Sequence, residues 1–333
     1  MAKSNDSKMK ELASVTKKFK GEITKKFKKP RIWKEKDVLN GKIVDAFVLI
    51  LRTRGCRWSH KGGCTMCGYF KETYDVKEDE ILKQIKEAVK IYENEKIVKI
   101  FTSGSFLDER EIPSHMQKKI IESFSKAEKI VIESRPEFIK NIENIKSNKR
   151  IEIAMGLESA NDRVLEYSIN KGFKYAEWRK WAEKVKEYGK ELKVYILIKP
   201  PFLTEKDAIK DAIKSVEKVK DIADTLSFNP VAIHSRTVVE FLWKKNLYRP
   251  PWLWSVVEVL RKSSEIYDGM IKCDVVAGGK ERGSHNCGKC DKDFLNSIKN
   301  FSLRQNVDIF KNLECICKER WLDLIEIEEL FKG

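Results

Sequence analysis

Residues 44–68 read VDAFVLILRTRGCRWSHKGGCTMCG, an apolar run followed by a glycine-rich loop that carries three cysteines. The thiolates of Cys56, Cys64 and Cys67 could bind three irons of a four-iron cluster and leave the fourth iron open to a small molecule. The flanking glycines would let the backbone wrap closely around such a cluster. The alternative is a zinc site with His60 as a fourth ligand, because zinc also binds C-x-x-C pairs. The loop is therefore predicted to hold a metal centre of one of these kinds.

The chain is strongly basic. Its 333 residues include 67 Lys and Arg against 51 Asp and Glu, which gives a formal net charge of +16. Such an excess attracts polyanions and favours nucleic acid as a partner. The alternative is a charged surface of the thermophile type, but those surfaces usually balance the two signs.

Hydrophobic segments long enough to cross a membrane or to act as a signal peptide are not found in the sequence. In a chain without a recognisable signal peptide, eight cysteines indicate metal ligands rather than disulfides. We therefore expect a cytoplasmic protein without a membrane partner.

Three regions are predicted. Residues 1–40 form a lysine-rich leader, in which the spacing of Phe19, Ile23 and Phe27 predicts an amphipathic helix with a basic face, ended by Pro30. Residues 41–235 alternate strand and helix patterns. Residues 236–333 form an extension with further cysteines and an aromatic, basic stretch at 242–254. We expect tRNA contacts from this extension, although core packing is favoured for most of its aromatic side chains.

The middle region predicts a partial (β/α)6 barrel, because strands followed by helices pair in parallel. The predicted strands are Val44–Leu51, Ile97–Phe101, Lys129–Glu133, Ile151–Leu157, Leu192–Ile198 and Thr225–Asn229. The predicted helices cover 78–93, 113–125, 136–146, 161–187 and 204–220. In parallel barrels the chemistry lies at the carboxyl ends of the strands, which is where the cysteine loop falls.

Polar and small residues follow the other strands at the same rim. They are Ser103, Gly104, Ser105, Glu133, Arg135, Glu158, Ser159, Lys199 and His234. Individually, several of them could be turn residues or structural ion pairs. Together they predict a ligand with hydroxyl groups and a charged amino-acid group. Lys199 and His234 are the candidates for contact with an anionic substrate and for proton transfer.

A second group of cysteines lies near the carboxyl end of the chain. Cys287, Cys290, Cys315 and Cys317 form two close pairs that suit tetrahedral zinc, and this set is favoured. Cys273 and His285 could replace the second pair. Unligated cysteines or a second iron–sulfur cluster are the other interpretations. A small region with little core would gain folding energy from such a metal.

The ordered set resembles a known family. The cysteine triplet, Ser103-Gly-Ser105, Glu133-Ser-Arg-Pro136 and Gly156-Leu-Glu-Ser159 resemble radical S-adenosylmethionine (SAM) enzymes of the Elp3/MiaB-like branch. Within that branch the chain resembles, over nearly its whole length, the archaeal radical enzymes of archaeosine synthesis (the RaSEA family). The first cysteine gap holds seven residues here, whereas the common pattern is C-x3-C-x2-C, and Met66 replaces an aromatic residue.

The resemblance implies a cofactor set and a reaction. A [4Fe-4S] cluster at the triplet would bind SAM, with residues 103–105 at its amino-acid end. Glu133, Arg135, Glu158 and Ser159 would complete the cofactor site. The substrate would be tRNA with a lysine adduct on a 7-deazaguanine of the D-loop, and C–N cleavage would leave archaeosine. The implied partners are a lysine-transferring archaeosine synthase and an electron donor.

Two other functions remain open. One is a related radical SAM enzyme that modifies tRNA in another way, for example a methylthiotransferase. The other is a non-catalytic RNA-binding protein with structural zinc sites. The metal bound at residues 56–67 distinguishes these classes.

Overall fold

One eight-stranded sheet organises the residues that the computed structural model describes, 2–20 and 29–330. Its strands lie side by side in chain order, and β1 is antiparallel to β2 whereas each later pair is parallel. The strands are β1 Arg31–Leu39, β2 Lys42–Ile50, β3 Ile97–Phe101, β4 Lys129–Ser134, β5 Arg150–Glu158, β6 Glu191–Ile198, β7 Thr225–Pro230 and β8 Met270–Cys273. The sheet curls, since Lys272 of β8 pairs with Asp37 of β1. The predicted partial barrel is thus confirmed.

Helices alternate with most of the strands and pack around the sheet and its rim. The α-helices are α1 Ala2–Lys20, α2 Arg57–Lys61, α3 Glu78–Ile91, α4 Ser114–Glu122, α5 Tyr175–Glu187, α6 Glu205–Val219, α7 Val238–Lys244, α8 Leu253–Ile266, α9 Asp291–Arg304 and α10 Cys317–Leu330. Shorter 3-10 helices cover Tyr69–Glu72, Pro136–Asn144 and Val307–Phe310, and Val164–Ile169 is π-helical. Within the described ranges, no helix is long and apolar enough to span a bilayer.

All six predicted strands are present, each within two residues of its predicted bounds. They are easily recognised because buried parallel strands read as continuous apolar runs. The sequence analysis missed β1 and β8. The first of these contains five charged residues in nine and lies at the sheet edge, and β8 is only four residues long. Residues 31–39, at the end of the basic leader, therefore pair with the sheet.

The continuous helix predicted for 161–187 is wrong. The π-helical turn ends at Asn170, which has a left-handed φ of 56°, and α5 begins only at Tyr175. Gly172, with φ of 81°, lies in the intervening loop. The physical reason is the loop's packing. Gly172 lies so close to the Trp58 ring that a Cβ would come within 2.7 Å of it.

The leader helix is confirmed in part. Helix α1 is described as far as Lys20, and Phe19 packs against Phe241 with ring centroids 5.5 Å apart. Ile23 and Phe27 lie outside the described residues, as does the predicted end of the helix before Pro30. In the extension, Tyr248 and Trp254 are buried, which confirms the core packing favoured for that stretch.

A layer of buried charged side chains lies on the inner face of the curled sheet. Glu152 on β5 has 1% of its side chain exposed and lies 2.8 Å from the ammonium groups of both Lys129 and Lys193. Thr225 also donates a hydrogen bond to it. Burial alone would raise the pKa of Glu152, but the two lysines outweigh burial and lower the pKa to about 2. The carboxylate therefore stays charged and offsets part of the positive charge of the two lysines.

We expect Glu152→Gln to lower the free energy of unfolding by about 3–5 kcal/mol, because the buried ammonium group of Lys193 loses its carboxylate partner. Folding lowers the pKa of Glu152, so its stabilising contribution is present above about pH 4.3, the unfolded value. That contribution is lost as pH falls towards about 2, and the variant should lack this part of the pH dependence. Urea unfolding between pH 2 and 7 measures both effects.

Glu128→Gln is the matched control. Glu128 pairs with Lys96 at 2.8 Å, but both side chains are 50% exposed. Its loss should change stability by about 0.5 kcal/mol or less, because exposed pairs contribute little. Equal effects of the two substitutions would contradict the role assigned to the buried pair.

Candidate cofactor site and metal centre

The cysteine loop lies at the carboxyl end of β2, as the strand pattern predicts. Helix α2 begins directly after Cys56, and its Arg57 donates to the buried Asp108 with an Nε–Oδ2 distance of 2.7 Å. Asp108 belongs to the loop that follows β3, so this bond joins two neighbouring loops of the rim.

The loop that interrupts the predicted 161–187 helix holds the cysteine loop from the other side. Trp58 donates from its indole nitrogen to the Asn170 carbonyl at 2.7 Å. Asn170 donates from its side chain to the Gly63 carbonyl at 2.8 Å. Thr65 donates to the Ser168 carbonyl at 2.7 Å. These bonds fix the loop between the first and third cysteines.

The three thiols lie in one partly exposed environment. Burial raises the pKa of Cys67 to about 11, and the neighbouring Cys64 raises it further, whereas Lys20 opposes the rise. Thiols of this kind ionise when they bind a metal. In the described part of the chain, the metal-ligand group whose sulfur atoms all lie within 4.8 Å of one another is a set of four cysteines near the carboxyl end. The sulfur atoms of Cys56, Cys64 and Cys67 do not meet this limit, so they are more widely spaced than the ligands of a single ion. His60 is exposed and lies 3.3 Å from the Arg54 carbonyl oxygen.

Gly104 brings the loop after β3 against the first cysteine. A Cβ at this position would lie 2.7 Å from the Cys56 backbone and would overlap with the carboxylate of Glu111. Glu111 accepts hydrogen bonds from the Ser105 amide and the Thr53 hydroxyl, each at 2.6 Å. Burial raises the pKa of Glu111 to about 8, so it is largely protonated at neutral pH. The absence of a side chain at Gly104 thus lets this loop approach the backbone of Cys56 closely.

Glu133 and Arg135 emerge from the end of β4. Tyr195 donates to Glu133 at 3.0 Å, and burial raises the pKa of Glu133 to about 7. The backbone amide of Arg135 donates to the Ser105 hydroxyl at 3.0 Å, and its guanidinium donates to Glu137 at 2.7 Å. A carboxyl group that titrates near neutrality and a buried guanidinium therefore lie on the same part of the rim.

Glu158 has a left-handed φ of 73°, next to a register shift in the pairing of β5 with β6. It lies 2.7 Å from the ammonium of Lys171, which is 9% exposed. Arg135 also donates to the Lys171 carbonyl at 3.2 Å. Strained backbone of this kind is held only where the surroundings determine it, and it is common at functional sites. The structure thus brings Glu158 and Arg135 together through Lys171.

The other predicted rim residues have partners of their own. Ser103 is partly exposed, whereas the Ser159 hydroxyl donates to Asp211 of α6 at 2.9 Å. Lys199 is buried and forms an ion pair with Glu205 at 2.6 Å. His234 packs against Gly68, beside the third cysteine. Burial, Lys71 and Arg282 lower the pKa of His234, so its imidazole is neutral at pH 7.

Sequence reasoning missed four residues of this site: Lys20, Glu111, Lys171 and Tyr195. Lys20, Glu111 and Tyr195 have a role only through contacts with residues distant in the chain, so no local pattern marks them. Lys171 alone had a signal, because it lies in the Asn170-Lys-Gly172 turn that ends the π-helical segment.

The favoured set of C-terminal cysteines comes together in the structure. The sulfur atoms of Cys287 and Cys290 are 3.9 Å apart, those of Cys287 and Cys315 are 3.6 Å apart, and those of Cys290 and Cys317 are 3.7 Å apart. All four lie within 4.8 Å of one another. These distances are far too long for disulfides, in which the sulfurs are about 2.05 Å apart.

The donor set suits zinc. Four thiolates at about 2.3 Å from a tetrahedral ion would lie about 3.8 Å apart, close to the observed spacings. Trp254 and Asn286 donate to the sulfurs of Cys317 and Cys290, both at 3.4 Å. Such outer hydrogen bonds hold metal-bound thiolates in place. Among the described residues, Cys273 and His285 do not belong to this group.

Comparisons with known proteins identify the family of this chain. A family model described as "Radical SAM superfamily" matches residues 50–230. The archaeosine synthase subunit beta of Methanosarcina acetivorans is 38% identical over 317 residues, or 90% of this chain and 91% of that protein. The archaeosine synthase subunit beta of Thermococcus kodakarensis is 39% identical over 310 residues, or 88% and 96%.

A solved structure of N-terminally truncated Elp3 from Methanocaldococcus infernus is 15% identical and covers 70% of this chain and 58% of that one, with a TM-score of 0.49. A similarity at this level carries no argument about function. Because the family model spans more than half of the chain and both archaeosine synthase relatives align over most of it, the chain belongs to the radical SAM superfamily and, within it, to the family of archaeosine synthase beta subunits.

Proposed function

We propose that this protein is a radical SAM lyase that acts on tRNA. Its substrate is a tRNA whose D-loop carries a lysine adduct on a 7-deazaguanine. Cleavage of a C–N bond in the adduct leaves archaeosine on the tRNA. The observation that carries the proposal is the near full-length similarity to two proteins named archaeosine synthase subunit beta.

Cys56, Cys64 and Cys67 bind the [4Fe-4S] cluster in this proposal. Their spacing, wider than that of the C-terminal cysteine group, supports a site built for more than one metal ion. When bound, the cluster and SAM together supply a 5′-deoxyadenosyl radical, and the protein contributes orientation and the exclusion of water. The bonds from Arg57, Trp58 and Thr65 keep the loop in one conformation.

The rim residues bind SAM. Ser103, Gly104 and Ser105 line its amino-acid end, where Gly104 keeps the loop close to Cys56. Glu133, Arg135 and Glu158 contact its charged and hydroxyl groups, and their placement near Lys171 supports this assignment. Ser159 acts indirectly, because its hydroxyl is bonded to Asp211.

His234 and Lys199 have different roles in this proposal. A neutral imidazole beside Gly68 can accept a proton close to the cluster loop, so His234 is the candidate for proton transfer. Lys199 forms a buried pair with Glu205, and its ring contact with Tyr248 has a centroid distance of 5.9 Å. Its charge is already neutralised, which supports a role in holding the rim.

tRNA approaches the same rim. Exposed basic side chains on the loops after β2 and β7 include Arg54, Lys61 and Arg236. With a net charge of +16, such groups attract phosphates, and their contribution weakens as salt rises. The name "subunit beta" of the relatives supports a partner subunit, here the lysine-transferring archaeosine synthase. An electron donor is also required.

The three regions divide these tasks. Residues 1–40 supply a basic leader, residues 41–235 the radical SAM core, and residues 236–333 a zinc-stabilised extension with tRNA contacts. The four close cysteine sulfurs support the zinc assignment.

Conversion of lysylated tRNA tests the proposal. The anaerobically reconstituted protein is incubated with SAM, a reductant and this tRNA, and the nucleosides are analysed by mass spectrometry. Archaeosine should appear together with 5′-deoxyadenosine. Failure to cleave SAM, with zinc in place of iron at the triplet, would instead identify a zinc-containing RNA-binding protein.

A further inference from the structure

Lys20, the last described residue of α1, is a buried cation that finds no hydrogen-bond partner among the described residues. Only 4% of the residue is exposed, and within residues 2–20 and 29–330 its Nζ atom has no acceptor. An ammonium group removed from water without a compensating partner is costly. The burial of this charge therefore indicates that an anion lies beside the ammonium group of Lys20.

The surroundings of Lys20 show where that anion lies. Its Nζ atom is so close to Gly63 that a Cβ there would overlap with it, and it lies 5.4 Å from the centroid of the Phe70 ring. Gly63 and Phe70 flank the segment that carries Cys64 and Cys67. The ammonium group thus faces the sulfur-bearing part of the loop.

Helix α1 is docked so as to hold Lys20 there. Ala13 packs on Gly62 so tightly that a Cβ on the glycine would lie 2.9 Å from the Ala13 carbonyl oxygen. Phe19 packs on Phe241 of α7. Lys17 and Lys18, on the same helix, are exposed. The helix therefore directs one of its lysines into the loop and leaves those two in solvent.

We propose that Lys20 is a positioning residue whose ammonium group faces the bound iron–sulfur cluster and stabilises its reduced state. This inference rests on the proposed function, since it requires a cluster at Cys56, Cys64 and Cys67. Reduction adds a negative charge to a centre already held by three thiolates. A nearby buried cation makes that step more favourable, because charge and hydrogen bonds to the sulfurs set the potential of such clusters.

The potential of the cluster in Lys20→Met tests the inference. Methionine keeps an unbranched side chain of similar length but removes the charge. We expect the one-electron reduction to become about tenfold less favourable, a shift of about 59 mV to more negative potential. Redox titration followed by electron paramagnetic resonance, without SAM and without tRNA, measures it. Lys20→Arg should stay near the wild-type potential.

Lys18→Met is the matched control, because it makes the same charge change on the same helix at an exposed position. Its potential should be unchanged, since solvent and salt screen an exposed charge. An unchanged potential in a fully loaded Lys20→Met protein would overturn the inference and leave the proposed function intact. A wild-type protein that binds no iron and sulfide would overturn both.

If Lys20→Met binds less iron and sulfide than the wild type, the cluster content of Lys20→Arg shows whether charge or shape is responsible. If Lys20→Arg then loads fully, the positive charge is needed to hold the cluster, which supports the inference. If Lys20→Arg loads as poorly as Lys20→Met, the side-chain shape rather than the charge matters, and the inference fails.

Discussion

Alanine at Cys56, Cys64 or Cys67 is expected to abolish formation of 5′-deoxyadenosine while tRNA binding survives. Loss of an outer partner of a metal ligand already costs about 10–100-fold in metal affinity or activity, so loss of a ligand itself should cost more. Binding of tRNA should persist because it depends on phosphate contacts with basic side chains, and the cysteines make none. Iron and sulfide content, 5′-deoxyadenosine yield and tRNA affinity at fixed salt measure the three effects.

Cys273→Ala is the matched control for these variants. Cys273 is buried in β8, and it lies outside the C-terminal group. Its substitution should leave iron content and 5′-deoxyadenosine formation intact. Simultaneous loss of tRNA binding and activity in the Cys56, Cys64 and Cys67 variants would indicate that the loop is an RNA-binding element.

Serine at Cys315 is expected to remove one zinc ion and destabilise the extension by about 4 kcal/mol or more, as loss of a structural metal does. Cys290 lies directly before α9, and Cys317 is the first residue of α10, so the metal joins the starts of two helices. In a region with a small core, the free energy of metal binding is folding free energy. Metal analysis, thermal unfolding and proteolysis of the extension measure the change.

His285→Ala is the control for the zinc prediction. The structure places the His285 ring 2.8 Å from the Gly283 carbonyl oxygen, outside the cysteine group. Its zinc content should equal that of the wild type. Zinc retained by Cys315→Ser but lost from His285→Ala would establish the alternative ligand set with Cys273 and His285.

Sequence patterns predicted the core strands well because each is an apolar run between polar turns, as in Ile97–Phe101. They failed where tertiary packing decides. The charged strand β1 becomes regular only by pairing with β2, and the loop at 170–174 exists because it packs on Trp58. Local periodicity contains neither contact.

The same distinction applies to the site. The cysteine spacing and the strand-end positions of Glu133 and Arg135 are visible in the sequence, since both follow from the βα repeat. Lys20 is one of many lysines in the leader, and only its burial against Gly63 distinguishes it. Glu111 likewise looks like a loop carboxylate until its hydrogen bonds to Thr53 and Ser105 are seen.

Nucleoside mass spectrometry of lysylated tRNA, after anaerobic incubation with the reconstituted protein, SAM and a reductant, tests the central claim most directly. The account predicts loss of the lysylated 7-deazaguanine nucleoside and a matching gain of archaeosine, with 5′-deoxyadenosine formed only when SAM is present. If 5′-deoxyadenosine forms while the lysylated nucleoside remains unchanged, the protein is a radical SAM enzyme with a different substrate, and the proposed lyase reaction is contradicted.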